Sequence, residues 1–173
     1  AMAAHMRRFR NHGSDSDHRS REAKGAHAYD MAELGYNYRL PDVQCALGLA
    51  QLSRLEGWVA ARQNIARLYD EALAGIAEAV PLKTHADRTH AHHLYVVRLM
   101  EGIDRDRVFA RLRAEGIGAN VHYAPVYLHS HYARLGYPAG LCPNAEAAAR
   151  QILTLPMFPA MSEADVRRVV GAL

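Results

Sequence analysis

The stretch "LGYNYRLPDVQCALGLAQLSRLEGWVAARQNIARLYDEAL", Leu34 to Leu73, joins a crowded turn to the strongest helical pattern in the chain. Pro41 fits the first position of a helix, where a missing N–H is harmless, and Asp42 suits the positive end of the helix dipole. Apolar residues at Val43, Ala46, Leu47, Ala50, Leu52 and Leu55 spread around several faces through residue 56. After Gly57 they narrow to one stripe carrying Val59, Ile65 and Leu68. A helix apolar on most sides, with small Ala46, Gly48 and Ala50, predicts packing against another domain or subunit. Before it, "GYNYR" packs two tyrosines, an asparagine and an arginine into one turn. Asn37 and Arg39 either bind an anion through charge-assisted bonds or tie down the loop.

Working outward, Ala1 to Asn11 reads as a helical turn or two stopped by Gly13, with Met2, Met6 and Phe9 at helical spacing. A helix starting at residue 1 without a cap suggests a chain cut from a longer protein. "SDSDHRSREAKGA", Ser14 to Ala26, has the polar, turn-rich composition of an exposed loop, and "AYDMAEL" reads as a short extended segment. After Pro81 the pattern changes. "HHLYVVRL" (92–99) is β-rich, "RDRVFARLRAEG" (105–116) is an amphipathic helix ending at glycine, and "ANVHYAPV" (119–126) is β-rich again. "NAEAAARQI" is helical from Asn144, "LTLPMF" is extended, and "SEADVRRVVGAL" is a helix behind N-cap Ser162. The order β-α-β-α-β-α after a long helical hairpin predicts a small α+β layer, a short sheet with helices on one face.

The composition narrows the chemistry. At 173 residues, 50% hydrophobic and 23% charged, the chain is globular rather than disordered. A net charge of +3, with the basic residues scattered, gives no nucleic-acid footprint. There is no apolar run of about 18 residues and no signal-peptide core, which argues against membrane insertion and secretion. Cys45 and Cys142 form no metal-ligand spacing, so a reduced, cytoplasmic protein is the simplest reading. The imidazoles of His90, His92 and His93, and of His129 and His131, alternate as on one face of a strand, but without a matching carboxylate or thiol they would bind metals weakly and promiscuously. No metal site is expected. Gly-x-Ser-x-Gly and glycine-rich phosphate motifs are absent. "VHYAPVYLHSHY" concentrates His122, Tyr123, Tyr127, His129 and Tyr132 at the end of an expected strand interrupted by Pro125. Such rings suit a sugar or a nucleotide diphosphate, and equally suit half-buried packing with satisfied tips.

Taken in order and spacing, "RFRNHG", the Leu34–Leu73 stretch, "HHLYVVRL", "RLRAEGIGANVHYAPVYLHSHY" and "PNAEAAARQILTLPMFPAMSEADVRRVV" resemble the DegT/DnrJ/StrS family of pyridoxal-phosphate-dependent nucleotide-sugar aminotransferases. "GYNYR", "HHLYVV" and "VHYAPVYL" are most similar to the enzymes that aminate UDP-4-keto-6-deoxy-N-acetylhexosamines in pseudaminic-acid synthesis. The aminotransferase making 4-amino-4-deoxyarabinose for lipid A is next.

The resemblance implies the C-terminal part of an aspartate-aminotransferase α/β architecture. Residues 1–40 would be the tail of the large domain with loop 14–26, 41–80 the interface helices, and 81–173 the small α+β domain. It implies a homodimer with shared active sites, a UDP-keto sugar and glutamate as substrates, and pyridoxal 5'-phosphate as cofactor. Asn37 would reach the phosphate of the partner's cofactor, with Arg39 nearby. His122 would contact the nucleotide sugar, with Tyr123 and Tyr127 as further candidates. Many relatives carry histidine where Tyr127 stands. The lysine that carries the cofactor is expected upstream of Ala1, since Lys24 and Lys83, the only lysines, lack the family's glycine-rich context. The chain alone is then expected to be inactive. The other reading is a non-catalytic nucleotide-sugar-binding or oligomerisation module of the same fold.

Overall fold

The computed structural model describes residues 2–25 and 27–173; Ala1 and Ala26, the outer ends of the expected first helix and of the expected loop, lie outside them. The chain divides after Ser53 into two compact units.

The first unit holds helix α1 (Met2–Phe9), helix α2 (His18–Ala23) and helix α3 (Asp42–Leu52). Helix α2 corrects the expectation of a plain loop over 14–26. Asp17 caps it by accepting the Ser20 N–H at 2.7 Å, a local bond that turns a polar segment helical. Between the helices, residues 9–15 and 30–38 run antiparallel. Asn11 bridges Asn37 and Ser14 bridges Met31, with His12 N donating to Tyr36 O (2.9 Å) and Tyr38 N to Arg10 O (2.9 Å). Pro41 stands at the N-cap of α3 rather than at its first turn, its ψ of 150° being extended. The helical pattern from residue 42 breaks at Ser53 into two helices. The Ser53 hydroxyl donates back to the Ala50 carbonyl at 2.9 Å, the local competition that lets a serine end a helix. All of α3 is exposed, Val43 by 81% and Leu49 by 70%.

The second unit opens with helix α4 (Leu55–Leu73), followed by strands β1 (Ala79–Pro81) and β2 (Tyr95–Leu99). Then come helices α5 (Arg105–Ala114), α6 (Ser130–Arg134) and α7 (Pro143–Gln151), strand β3 (Ile152–Leu155) and helix α8 (Glu163–Gly171). The sheet is antiparallel in the order β1-β2-β3, with Ala79 opposite Leu99 and Val97 opposite Leu153. Tyr95, Val97 and Leu99 alternate into the core, where they join Leu153 and Leu155, the α4 stripe Ile65, Ala66, Tyr69 and Leu73, and Val166 and Val169 of α8. The period-2 and period-3.6 patterns thus meet on one buried layer. Ser162 and Asp165 form a full capping box at the start of α8.

Two details of the expected strand order are corrected. Residues 79–81 form an edge strand too short to show alternation, and its Pro81 is tolerated because an edge needs fewer ladder donors. Residues 119–126 are not a strand. They contribute a single antiparallel bridge, Asn120 to Thr154. The Asn120 side chain takes the next N–H, that of Val121, at 2.8 Å, and Pro125 has none to give, so the ladder stops and the chain enters a 3-10 turn over Val126–Leu128.

Candidate functional site

In the first unit, two glycines hold the "GYNYR" turn. Gly13 has φ +69°, and a Cβ there would meet the Glu33 carbonyl oxygen at 1.6 Å; a Cβ on Gly35 would stand 2.1 Å from the Gly13 nitrogen. Only hydrogen fits at either Cα. Phe9, Tyr36 and Tyr38 then gather, Tyr36 stacking on Tyr38 at 5.1 Å and Phe9 lying 5.1 Å from Tyr36. On this frame Asn37 and Arg39 are both exposed, and the Arg39 Nε donates to Asn37 Oδ1 at 2.9 Å. Arg39 fills one lone pair of the Asn37 oxygen, while the Asn37 NH2 and the rest of the Arg39 guanidinium make no hydrogen bond among the described residues.

Arg39 also lines a cavity of 820 Å³ that carries six arginines, among them Arg7, Arg10, Arg19 and Arg21, against three aspartates. The excess of fixed positive charge suits an anion. Sequence reading missed this cavity. Its signal lay in the arginines of "MRRFR" and "HRSRE", which only the antiparallel pairing brings to one place.

In the second unit, His122 and Tyr123 come together, their rings edge-on at 4.6 Å. His122 Nδ1 lies 3.0 Å from the Thr154 hydroxyl and Nε2 lies 3.3 Å from the Asn120 amide nitrogen. Thr154 is buried (4% exposed), on the face of β3 opposite Leu153 and Leu155, while Tyr123 is 70% exposed and free to meet a ligand. Tyr127 goes elsewhere. Its hydroxyl donates to Glu146 Oε1 at 2.5 Å and accepts from Cys142 N at 3.1 Å, while Gly140 N donates to the same carboxylate at 2.6 Å. Lost hydration and the bond to Glu146 push the Tyr127 phenol up, and the bonds from Tyr127 and Gly140 hold Glu146 below the usual carboxylate range. Tyr127 therefore ties the loop before α7 to that helix. The sequence pattern did not disclose Asn120, Thr154 or Glu146 as partners, because each lies 2 to 32 residues from the ring it meets.

The histidine-rich segment is not on a strand. His90 Nδ1 accepts the His92 backbone N–H at 2.9 Å, which turns the chain through a left-handed His92 (φ 46°). Arg62 Nη1 clasps the carbonyls of His92, His93 and Met157 at 3.1, 3.2 and 3.1 Å. Partial burial, then the neighbouring His90, push the His92 imidazole down, with Asp70 opposing. These histidines, with Lys83 and Tyr95, edge an open cavity of 850 Å³. Among the described residues no three His, Cys, Asp or Glu side chains converge as metal ligands, and no helix is long and apolar enough to cross a membrane.

Comparison with known proteins gives consistent relatives. A putative sugar aminotransferase, Spr1654 from Streptococcus pneumoniae, in its PMP form, shares 29% identity over 96% of this chain and 42% of its own, with a TM-score of 0.80. DesV of S. venezuelae shares 32% over 99% and 43%, also with a TM-score of 0.80. Helicobacter pylori PseC, an aminotransferase involved in the biosynthesis of pseudoaminic acid, shares 26% over 96% and 43%, with a TM-score of 0.78. The chain thus spans about two-fifths of the length of the structures it matches. The profile of the DegT/DnrJ/EryC1/StrS aminotransferases matches residues 1–173. By that match, the α/β chain belongs to the DegT/DnrJ/EryC1/StrS aminotransferase family.

Proposed function

We propose that this chain is the C-terminal portion of a pyridoxal-phosphate-dependent aminotransferase that moves an amino group, from glutamate, onto the keto carbon of a UDP-linked 4-keto sugar for surface-glycan synthesis in the cytoplasm. The observation that carries the reading is the exposed Asn37–Arg39 pair, whose amide and guanidinium N–H groups, apart from the Nε–H shared between them, have no partner among the described residues. That donor set fits a phosphate. An amide and a guanidinium hold phosphate oxygens without titrating, and the arginine-lined cavity beside Arg39 adds attraction. When bound, pyridoxal phosphate supplies the electron sink that lets an amino group pass between an amino acid and a carbonyl carbon.

This chain's share is binding and orientation. Asn37 donates to the cofactor phosphate across the interface of a homodimer, and Arg39 fixes the amide and lends charge. His122 and Tyr123 line the nucleotide-sugar side, while Tyr127 orders the loop before α7. The exposed apolar residues of α3, Val43, Leu47, Leu49 and Leu52, support a subunit or domain interface and weigh against a stand-alone module. The lysine that carries the cofactor belongs, on this reading, to sequence preceding the chain, so the chain alone is inactive. Likeness to Helicobacter pylori PseC supports a substrate of the pseudaminic-acid type.

The test is made on the full-length protein. Asn37→Asp sets a carboxylate against the phosphate and is expected to lower cofactor affinity by tenfold or more, read by cofactor absorbance after dialysis, whereas Arg39→Ala is milder. Full cofactor occupancy in Asn37→Asp, or no amino sugar formed from glutamate and a UDP-4-keto sugar by the parent, sinks the reading.

A further inference from the structure

We infer that Asn120 and Thr154 fix the ring proton of His122 on Nδ1, so that Nε2 recognises a hydrogen-bond donor of the ligand, a sugar hydroxyl, an amide N–H or the pyrimidine N–H, and not a phosphate. The inference rests on the assignment of His122 to the nucleotide-sugar side. It adds which atom of the ring does the recognising, and with what polarity.

The polarity follows from a chain of contacts. The Val121 backbone N–H donates to Asn120 Oδ1 at 2.8 Å, which settles which way the amide points: its oxygen is used, and its nitrogen faces His122. An amide nitrogen has only protons to offer. At 3.3 Å from it, Nε2 of His122 must supply the lone pair, and the ring proton then sits on Nδ1, which donates to the Thr154 hydroxyl at 3.0 Å.

The two partners are rigid for a backbone reason. Asn120 and Thr154 face each other across an antiparallel bridge in which Asn120 N donates to Thr154 O (3.0 Å) and Thr154 N to Asn120 O (2.7 Å). Directly opposed residues send their side chains to the same face, so both reach one imidazole. Thr154 is buried and holds its end firmly, whereas Asn120 is exposed and its contact is the longer of the two. A ligand donor can therefore take the place of the Asn120 amide at Nε2 and find the same lone pair. A phosphate oxygen arriving there would set lone pair against lone pair.

The experiment is nitrogen NMR of the full-length protein labelled in its histidine rings, with the His122 signals assigned by their loss in His122→Gln. At mildly alkaline pH the expected result is a protonated, pyrrole-type Nδ1 and a pyridine-type Nε2. Thr154→Ser keeps that pattern, and Asn120→Asp, which puts an acceptor opposite Nε2, reverses it. A pyridine-type Nδ1 in the unmutated chain overturns the inference. Addition of UDP-N-acetylglucosamine is expected to move Nε2 further into the hydrogen-bonded range than the long Asn120 contact holds it; the same movement with UDP alone assigns the donor to the uridine, and its absence there assigns it to the N-acetylglucosamine. Movement of Nε2 with pyrophosphate overturns the polarity. Separately, His122→Ala is expected to weaken UDP-N-acetylglucosamine binding by about tenfold, the worth of one good hydrogen bond. Unchanged binding beside the expected tautomer overturns the placing of His122 on the substrate, and the recognition step falls with it while the tautomer stands.

Discussion

Gly35 is seated so close to Gly13 that a Cβ on it would stand 2.1 Å from the Gly13 nitrogen and 2.8 Å from the Gly13 Cα. That contact sets where the antiparallel segments of the first unit meet, and therefore where Asn37 sits. A methyl group at Gly35 has only backbone in its way, which cannot swing aside. Gly35→Ala is expected to cost about 2 kcal/mol or more, as forced overpacking does. It should also release the backbone pairing of Asn11 with Asn37, read as faster exchange of the Tyr36 and Tyr38 amides. A variant as stable and as protected as the parent refutes the close approach.

Arg62 draws three carbonyls from two segments to one nitrogen. Arg62→Met keeps the aliphatic stem and leaves those carbonyls without their charged donor. A loss of about 2 kcal/mol is expected in urea unfolding, within the range for charge-assisted bonds. Arg62→Lys should recover part of it, since an ammonium reaches fewer acceptors in fixed geometry. Equal losses in the two variants would show that charge and donors are irrelevant there.

The Tyr127–Glu146 clamp carries an acid dependence whose sign can be worked out. Glu146 titrates below its ordinary value in the folded chain because Tyr127 and Gly140 donate to it. A depressed carboxylate contributes stability above its unfolded pKa, about 4.3, and that contribution fades as pH falls through the lower folded value. Amides of Gly140 and Cys142 should lose protection in that window. Tyr127→Phe should remove part of their protection at neutral pH and flatten the acid dependence. An unaltered acid profile in Tyr127→Phe argues against the clamp.

At the alkaline end the core tyrosines act in the opposite sense. Burial pushes both Tyr69 and Tyr95 up, with the 2.5 Å bond to Asp70 adding to the effect at Tyr95. A raised phenol favours the fold below its unfolded pKa, about 10, and the advantage disappears as pH rises beyond it. The two rings stack at 4.6 Å, and Tyr69 also donates to the Pro156 carbonyl at 2.9 Å. Two of the nine tyrosines should therefore ionise only as the second unit unfolds, seen as phenolate absorbance that tracks the loss of helix. Smooth titration of all nine with the helices intact would contradict this packing.

Much of the architecture was legible in the residues. The apolar stripe after Gly57, the β-rich run "HHLYVVRL" and the N-cap Ser162 each announce a local conformation, because periodicity, composition and caps are properties of neighbours in sequence. "GYNYR" likewise marked Asn37 and Arg39 as a place of interest. The segment 119–126 did not yield, since its β-rich composition was overruled by Asn120 taking the Val121 N–H and by Pro125. Helix α2 was hidden because its six polar residues have no apolar stripe, only an Asp17 cap.

By itself, then, the sequence determined the longer helices, strands β2 and β3, the family to which the motifs point and the residue types at the candidate site. The folded structure alone decided which groups face which: that Arg39 donates to the Asn37 oxygen, and that Tyr127 serves a loop. The same holds for His122, which stands between Asn120 and Thr154. The reason is physical. Helical and strand propensities act over a few residues, whereas the surroundings of a hydrogen-bonding ring include atoms that the chain brings back from 32 residues away.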